Sequence, residues 1–242
     1  MNAKTALVRR QKNSSKLPLV SRIRAEETSR LIPSKYSIGE DSVLTRIAND
    51  NTLLADAFDL DSATNDRLLA ENQLLPGIGT HELVFGIPYA SIINAAFAHP
   101  HPLGNRFNGP DRGAWYAAGD VSTAQAEVAF HKSVQLAEID RYYDEVTYDE
   151  YLADFNADFH DLRRAPAFKP CLDPESYAES QLLAERLMTV GSLGVVYPSV
   201  RHAKGTCFAC FCPALVTNVR KQFTFSFRWD GKPEPIIEKI RT

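Results

Sequence analysis

The segment Asn105–Phe130, NRFNGPDRGAWYAAGDVSTAQAEVAF, constrains the fold more than any other stretch of the chain. Its first part is dense in Gly, Pro and Asn and reads as a loop that carries Arg106 and Arg112. GAWYAA, residues 113–118, reads as a buried strand holding Tyr116. Ser122 with Gln125 three residues on forms a capping-box pattern that opens a helix through about Val134. Glu127 sits in that helix among Ala124, Ala126, Val128, Ala129 and Phe130. A carboxylate in such apolar company costs free energy unless it meets a partner or a ligand. An internal ion pair with Arg106 or Arg112 is the plain account; a ligand site is the other.

The same reasoning extends along the chain. Residues 42–75 are rich in Leu, Ala and Asp at roughly helical spacing, which predicts two helices broken near Asp59–Ser62. Ser91–His99 predicts a short helix stopped before Pro100. Pro174–Thr189 predicts a helix with Leu182, Leu183, Leu187 and Met188 on its apolar face, ended by Gly191. GVVYPSV (194–200) and CFACFC (207–212) read as strands. FTFSFRW alternates Phe223, Phe225, Phe227 and Trp229 on one face, the period of a strand. The acidic, aromatic stretch between about 140 and 170 gives no clear period. Strands interspersed with helices, without a regular βαβ rhythm, predict an α+β fold.

Charge divides the chain unevenly. Residues 1–30 hold eight Lys and Arg against Glu26 and Glu27, although the whole chain carries a net charge of −3. Residues 1–28 are therefore read as a basic arm preceding a domain over 29–242, with a helical decoration at about 42–75. No apolar run is long enough to cross a membrane. The arm lacks the apolar stretch of a secretory signal. With no signal, the four cysteines predict reduced thiols in a cytoplasmic protein. His202, Cys207, Cys210 and Cys212 lie close together, but one C-x-x-C without a second ligand pair is a poor zinc pattern. On a strand, Cys207 faces away from Cys210 and Cys212. Buried core thiols are the simpler reading, and no metal is expected. His99, His101 and His131 flank the candidate site, where a solvated histidine is the commoner outcome.

Taken together, NRFN (105–108), WYAA (115–118) and TAQAE (123–127) resemble the RES-domain family, named for an arginine, a glutamate and a serine. RLIPSKY (30–36), TNDRL (64–68), NAAFAH (94–99), DPESYAESQLLAERL (173–187), GVVYPSVRH (194–202) and FRWDG (227–231) are similar to further family segments. The resemblance thus runs from about Arg30 to Gly231. It implies a mixed β-sheet core like that of ADP-ribosyltransferases, with an N-terminal helical decoration. It also implies an enzyme that degrades NAD⁺, as phosphorylase or glycohydrolase, and serves as the toxin of a toxin–antitoxin pair. By motif, Arg106, Tyr116 and Glu127 take the loop arginine, strand tyrosine and helix glutamate. The family serine falls on Ser180, with Ser199 in YPSVR as a second candidate. Arg30 takes the N-terminal arginine, with Arg46 in competition.

The chemistry suits those roles. Planar guanidinium groups bind phosphate oxygens bidentately, so Arg30 and Arg106 could hold a pyrophosphate. The Tyr116 ring could stack on nicotinamide. Breaking the N-glycosidic bond develops positive charge on the ribose, which the Glu127 carboxylate would stabilise. NAD⁺ is then the substrate, no cofactor is implied, and phosphate or water captures the ribosyl cation. An Xre-type antitoxin is the implied partner and DNA is reached only through that complex; homo-oligomerisation stays open. Two other readings remain: transfer of ADP-ribose to a protein or nucleotide, and a non-catalytic module that keeps the fold.

Overall fold

The computed structural model describes residues 16–37 and 77–240. The helical decoration expected at 42–75, Arg46 and the segment 64–68 lie outside the described residues. The backbone of the molecule is a 19-residue strand, β3 (Tyr143–Asp161), which the sequence reading left unassigned. Its odd positions Tyr151, Ala153, Phe155, Ala157 and Phe159 all enter one core, as a period of two requires. On the other face Tyr148 enters a second core beside Phe227 and Trp229. Acidic residues mask this alternation in the sequence. Asp149 and Glu150 are buried, but Asp149 meets Lys221 at 2.8 Å and Glu150 accepts a hydrogen bond from Ser29.

Strand β1 (Val20–Pro33) lies antiparallel along β3, from Val20 opposite His160 to Pro33 opposite Tyr148. Residues 20–28, expected to be arm, are therefore sheet. Their polar side chains disguise a strand whose Ile23 is buried while Arg22 pairs with Asp158 across the ladder. The register shifts between Ala25 and Thr28, with Glu27 at φ 57°, and such a bulge bends the strand. Past the bend, Ser29 pairs with Ala118 of β2 (Trp115–Ala118).

Six further elements follow the expectations closely. Helix α1 (Ala90–Ala98) buries Ile92, Ile93 and Phe97. Helix α2 (Val121–Glu138) starts one residue before Ser122 and runs a turn beyond Val134, because Leu136 is still buried. Its cap is Asp120 rather than Ser122. The Asp120 carboxylate accepts the Thr123 amide and hydroxyl, and Ser122 donates to it as well. Helix α3 (Ala178–Thr189) buries Leu183, Ala184 and Leu187 but exposes Leu182. Strands β4 (Gly194–Pro198) and β5 (Thr206–Cys210) pair antiparallel. Strand β6 (Thr217–Asp230) buries Phe225, Phe227 and Trp229 and leaves Phe223 half-exposed under Lys239 of β7 (Ile236–Ile240).

The seven strands run in the order β1-β2-β5-β4-β3-β6-β7, and β1 also pairs with β3. That extra pairing closes a circuit through β1, β2, β5, β4 and β3. Only the β3–β4 pairing is parallel, so the sheet is mixed and the fold α+β, as expected. Helix α2 packs across β1 and β2, with Ala124 against Leu31 and Ala118 in one core. Among the described residues no helix is long and apolar enough to cross a membrane.

Candidate functional site

Between α2, β1, β2 and the loop before β2 lies a cavity of about 240 Å³. Arg30, Arg106, Tyr116 and Glu127 all line it, so Arg30 of β1 meets three residues of the 106–127 segment at one cavity. Ser29, Asn105, Tyr177, Tyr197, His131 and Cys207 complete the wall that bears polar groups.

Each side chain is placed by a local cause. Asn105 and Asn108 bond each other's backbone and pinch the loop into a tight turn. Gly104, at φ +68°, starts that turn, and a Cβ there would strike the Asn108 carbonyl. Phe107 is fully buried against the Tyr197 ring and anchors the turn. Arg106 is thereby drawn under the protein surface, 6% exposed. Its Nη1 donates to the carbonyls of Cys171 at 3.2 Å and Asp173 at 2.7 Å, and its plane lies 4.6 Å over the Tyr177 ring. The Tyr116 hydroxyl accepts the Phe107 amide at 2.9 Å and donates to Asn108 Oδ1 at 2.8 Å. That hydroxyl is committed to the loop, and burial pushes its ionisation up. What Tyr116 offers the cavity is its ring.

Arg30 reaches in from β1. Its Nη1 donates to the Tyr116 carbonyl at 2.9 Å and its guanidinium lies 4.8 Å from the centre of the Trp115 ring. Its Nε is buried without a hydrogen-bond partner. Burial pushes its ionisation down to about 10, so it remains a cation at neutral pH. A cation in the wall of a cavity is suited to an anion.

Glu127 makes no ion pair with Arg106 or Arg112. Arg112 pairs instead with Glu82 at 2.7 Å and donates to the Phe211 carbonyl, outside the cavity. The partner of Glu127 is Ser199, whose hydroxyl donates to Oε1 at 2.6 Å. Ser199 follows β4, and its own oxygen accepts the amides of Arg201 at 3.1 Å and His202 at 2.9 Å. Those two donors orient its proton toward Glu127. Arg201 secures the turn by lying 3.2 Å from the centre of the Phe130 ring and donating to the Pro174 carbonyl.

The two serine candidates thus separate. Ser180 is fully buried in α3, donates to the Tyr177 carbonyl at 3.0 Å and does not line the cavity. Its reach into the site is indirect, through the tyrosine under Arg106. Ser199 touches the carboxylate itself.

Several lining residues had weaker signals in the sequence. His131 stands one helical turn beyond Glu127 on the same face. Burial lowers its pKa, with the Glu127 charge opposing. Cys207, noted above as a core thiol, turns toward Glu127, while Cys210 enters the opposite core. His101 does not line the cavity and spends Nδ1 on the Leu103 amide. Among the described residues no group of three or more His, Cys, Asp or Glu could hold a metal.

Residues 83–230 match the family model of the RES domain. The chain belongs to the RES domain family. Within that match lie Arg106, Tyr116, Glu127, Ser180 and Ser199, whereas Arg30 precedes it. Among solved structures, the crystal structure of the M. tuberculosis MbcT–MbcA toxin–antitoxin complex is similar to this RES protein with a TM-score of 0.40 and 15% identity, over 51% of this chain and 71% of that one. No curated protein matches the chain.

Proposed function

We propose that this RES protein cleaves NAD⁺ at the nicotinamide–ribose bond. The observation that carries the reading is the state of Glu127. Its Oε1 is held by Ser199 in a cavity that also presents Arg30, Arg106 and the Tyr116 ring. A carboxylate fixed by a neutral donor keeps its charge available for a developing oxocarbenium ion. An ion pair with arginine would have neutralised it.

At about 240 Å³ the cavity is smaller than the ~300–1,000 Å³ typical of sites that enclose a whole drug-sized ligand. It is sized for the nicotinamide riboside end of the dinucleotide. In this arrangement nicotinamide stacks on Tyr116 and Glu127 faces the ribose. Arg30, with its spare donors, takes a phosphate oxygen. Arg106 already gives two hydrogen bonds to backbone carbonyls, so its main service is to fix the loop and add positive potential. Nicotinamide leaves as a neutral molecule and needs no strong acid. Phosphate or water then captures the ribosyl cation.

The proposal includes a cellular role, as the family resemblance implies: a cytoplasmic, growth-arresting toxin restrained by an Xre-type antitoxin. Product analysis tests the chemistry. NAD⁺ incubated with and without phosphate should yield nicotinamide plus ADP-ribose, or its 1″-phosphate when phosphate is the acceptor. Label transferred to a macromolecule would indicate a transferase instead.

A further inference from the structure

We propose that Cys207 is a positioning residue, the second half of a clamp that fixes the Glu127 carboxylate. The inference rests on the reading of Glu127 given above. Glu127 Oε1 receives two donors from two different elements: the Ser199 hydroxyl at 2.6 Å and the Cys207 thiol at 3.6 Å. The second distance is long for oxygen but within hydrogen-bond reach for the larger sulfur. Both donors fall on the same oxygen, and among the described residues Oε2 accepts no hydrogen bond.

Cys207 is well placed to hold a fixed direction. It is 3% exposed, near the start of β5, opposite Ala118 of β2 on one side and Tyr197 of β4 on the other. Glu127 arrives from α2, above that sheet. A single donor leaves a carboxylate free to swing about one hydrogen bond. Two donors from separate elements restrict it to one orientation, and orientation is what an electrostatic role demands. Burial and the neighbouring Glu127 charge push the thiol far above its ordinary range, so it stays protonated and remains a donor. As a weak donor, S–H orients the carboxylate while withdrawing little of its charge. The same burial makes the thiol a poor nucleophile.

The test uses the full chain and NAD⁺. Cys207→Ala, or the space-filling Cys207→Val, should lower kcat roughly five- to tenfold, with KM within about twofold, the size expected for one lost hydrogen bond. Cys207→Ser, which restores a donor, should recover kcat to within about threefold. A merely structural thiol would not be rescued by serine, and a bystander would leave kcat unchanged in all three; either result overturns the proposal. A second readout needs no turnover. The infrared S–H band of Cys207, assigned by its loss in Cys207→Ser, should rise toward a free-thiol frequency in Glu127→Ala. An unmoved band removes the clamp. A moved band in a chain that releases no nicotinamide removes the NAD⁺ reading and leaves the clamp standing.

Discussion

The Ser199 hydroxyl and the Glu127 carboxylate meet at 2.6 Å, although 72 residues separate them in the chain. Because two backbone amides already donate to the Ser199 oxygen, its proton has one direction to take. Ser199→Ala should therefore lower kcat for NAD⁺ cleavage roughly ten- to hundredfold, since a hydrogen bond to a charged group contributes about 1.5–3 kcal/mol. Ser180→Ala should act differently. It removes a buried donor to the Tyr177 carbonyl, costs about 1 kcal/mol of stability and reduces kcat less than Ser199→Ala does. Steady-state kinetics of the two variants, beside urea unfolding, checks the order.

Tyr116→Phe separates ring from hydroxyl. The ring stays in the cavity, but the Phe107 amide and Asn108 Oδ1 lose their partner. The loop that holds Arg106 should loosen, raising KM several-fold with a smaller effect on kcat. Tyr116→Leu, which removes the ring, should lower both kcat and affinity. An equal loss in Phe and Leu variants would mean that the hydroxyl, and not the ring, serves the substrate.

How much of this arrangement was legible in the sequence depended on whether a residue's neighbours in the chain were also its neighbours in space. Glu127 stood out because Ala124 and Val128 on its own helix are apolar. Tyr116 stood out because it lies in the short apolar run GAWYAA, directly after the Gly-, Pro- and Asn-rich loop. The choice between Ser180 and Ser199 could not be made from sequence, since it depends on the turn after β4 passing beside α2. Strands β1 and β3 were missed for a related reason. Arg22 and Asp158, or Asp149 and Lys221, look like surface charges until the ladder brings each pair together. Their alternation is visible only with the partner strand present.

Arg30 should show a conflict between function and stability. It is a half-buried cation with no carboxylate partner among the described residues and one unsatisfied N–H, and desolvation lowers its pKa to about 10. A lowered pKa in a base means that the folded state disfavours the charged form. The associated cost is present at neutral pH and is relieved only as pH rises past about 10. Arg30→Met, of similar length and uncharged, should therefore unfold at a temperature no lower than the parent while NAD⁺ cleavage falls at least tenfold. A variant that is both inactive and clearly destabilised would place Arg30 in the core's stability and not in ligand binding.

Acid should weaken the fold through His160 before it reaches the carboxylates. His160 is 8% exposed, hydrogen-bonded to Ser192 at 2.8 Å, and its pKa is lowered by burial. The unfolded chain binds that proton near pH 6.5, whereas the folded chain does not, so stability is lost as pH falls below about 6.5. A second loss follows when the partnered Asp149, Asp154 and Asp161, whose pKa values are lowered, take up protons below about 4. His160→Gln should make the stability profile shallower between pH 7 and 5, with the share of His131 remaining, and leave the lower step in place. Urea midpoints across that range give the answer.

The most direct test of the central claim is nicotinamide release from NAD⁺ by the purified chain, measured beside Glu127→Gln. The substitution keeps the shape and the acceptor oxygen for Ser199 but removes the charge proposed to face the ribose. The account predicts release by the parent and a loss of at least a hundredfold in the variant, with both unfolding at similar temperatures. Full activity in Glu127→Gln, or no release by the folded parent, would contradict it.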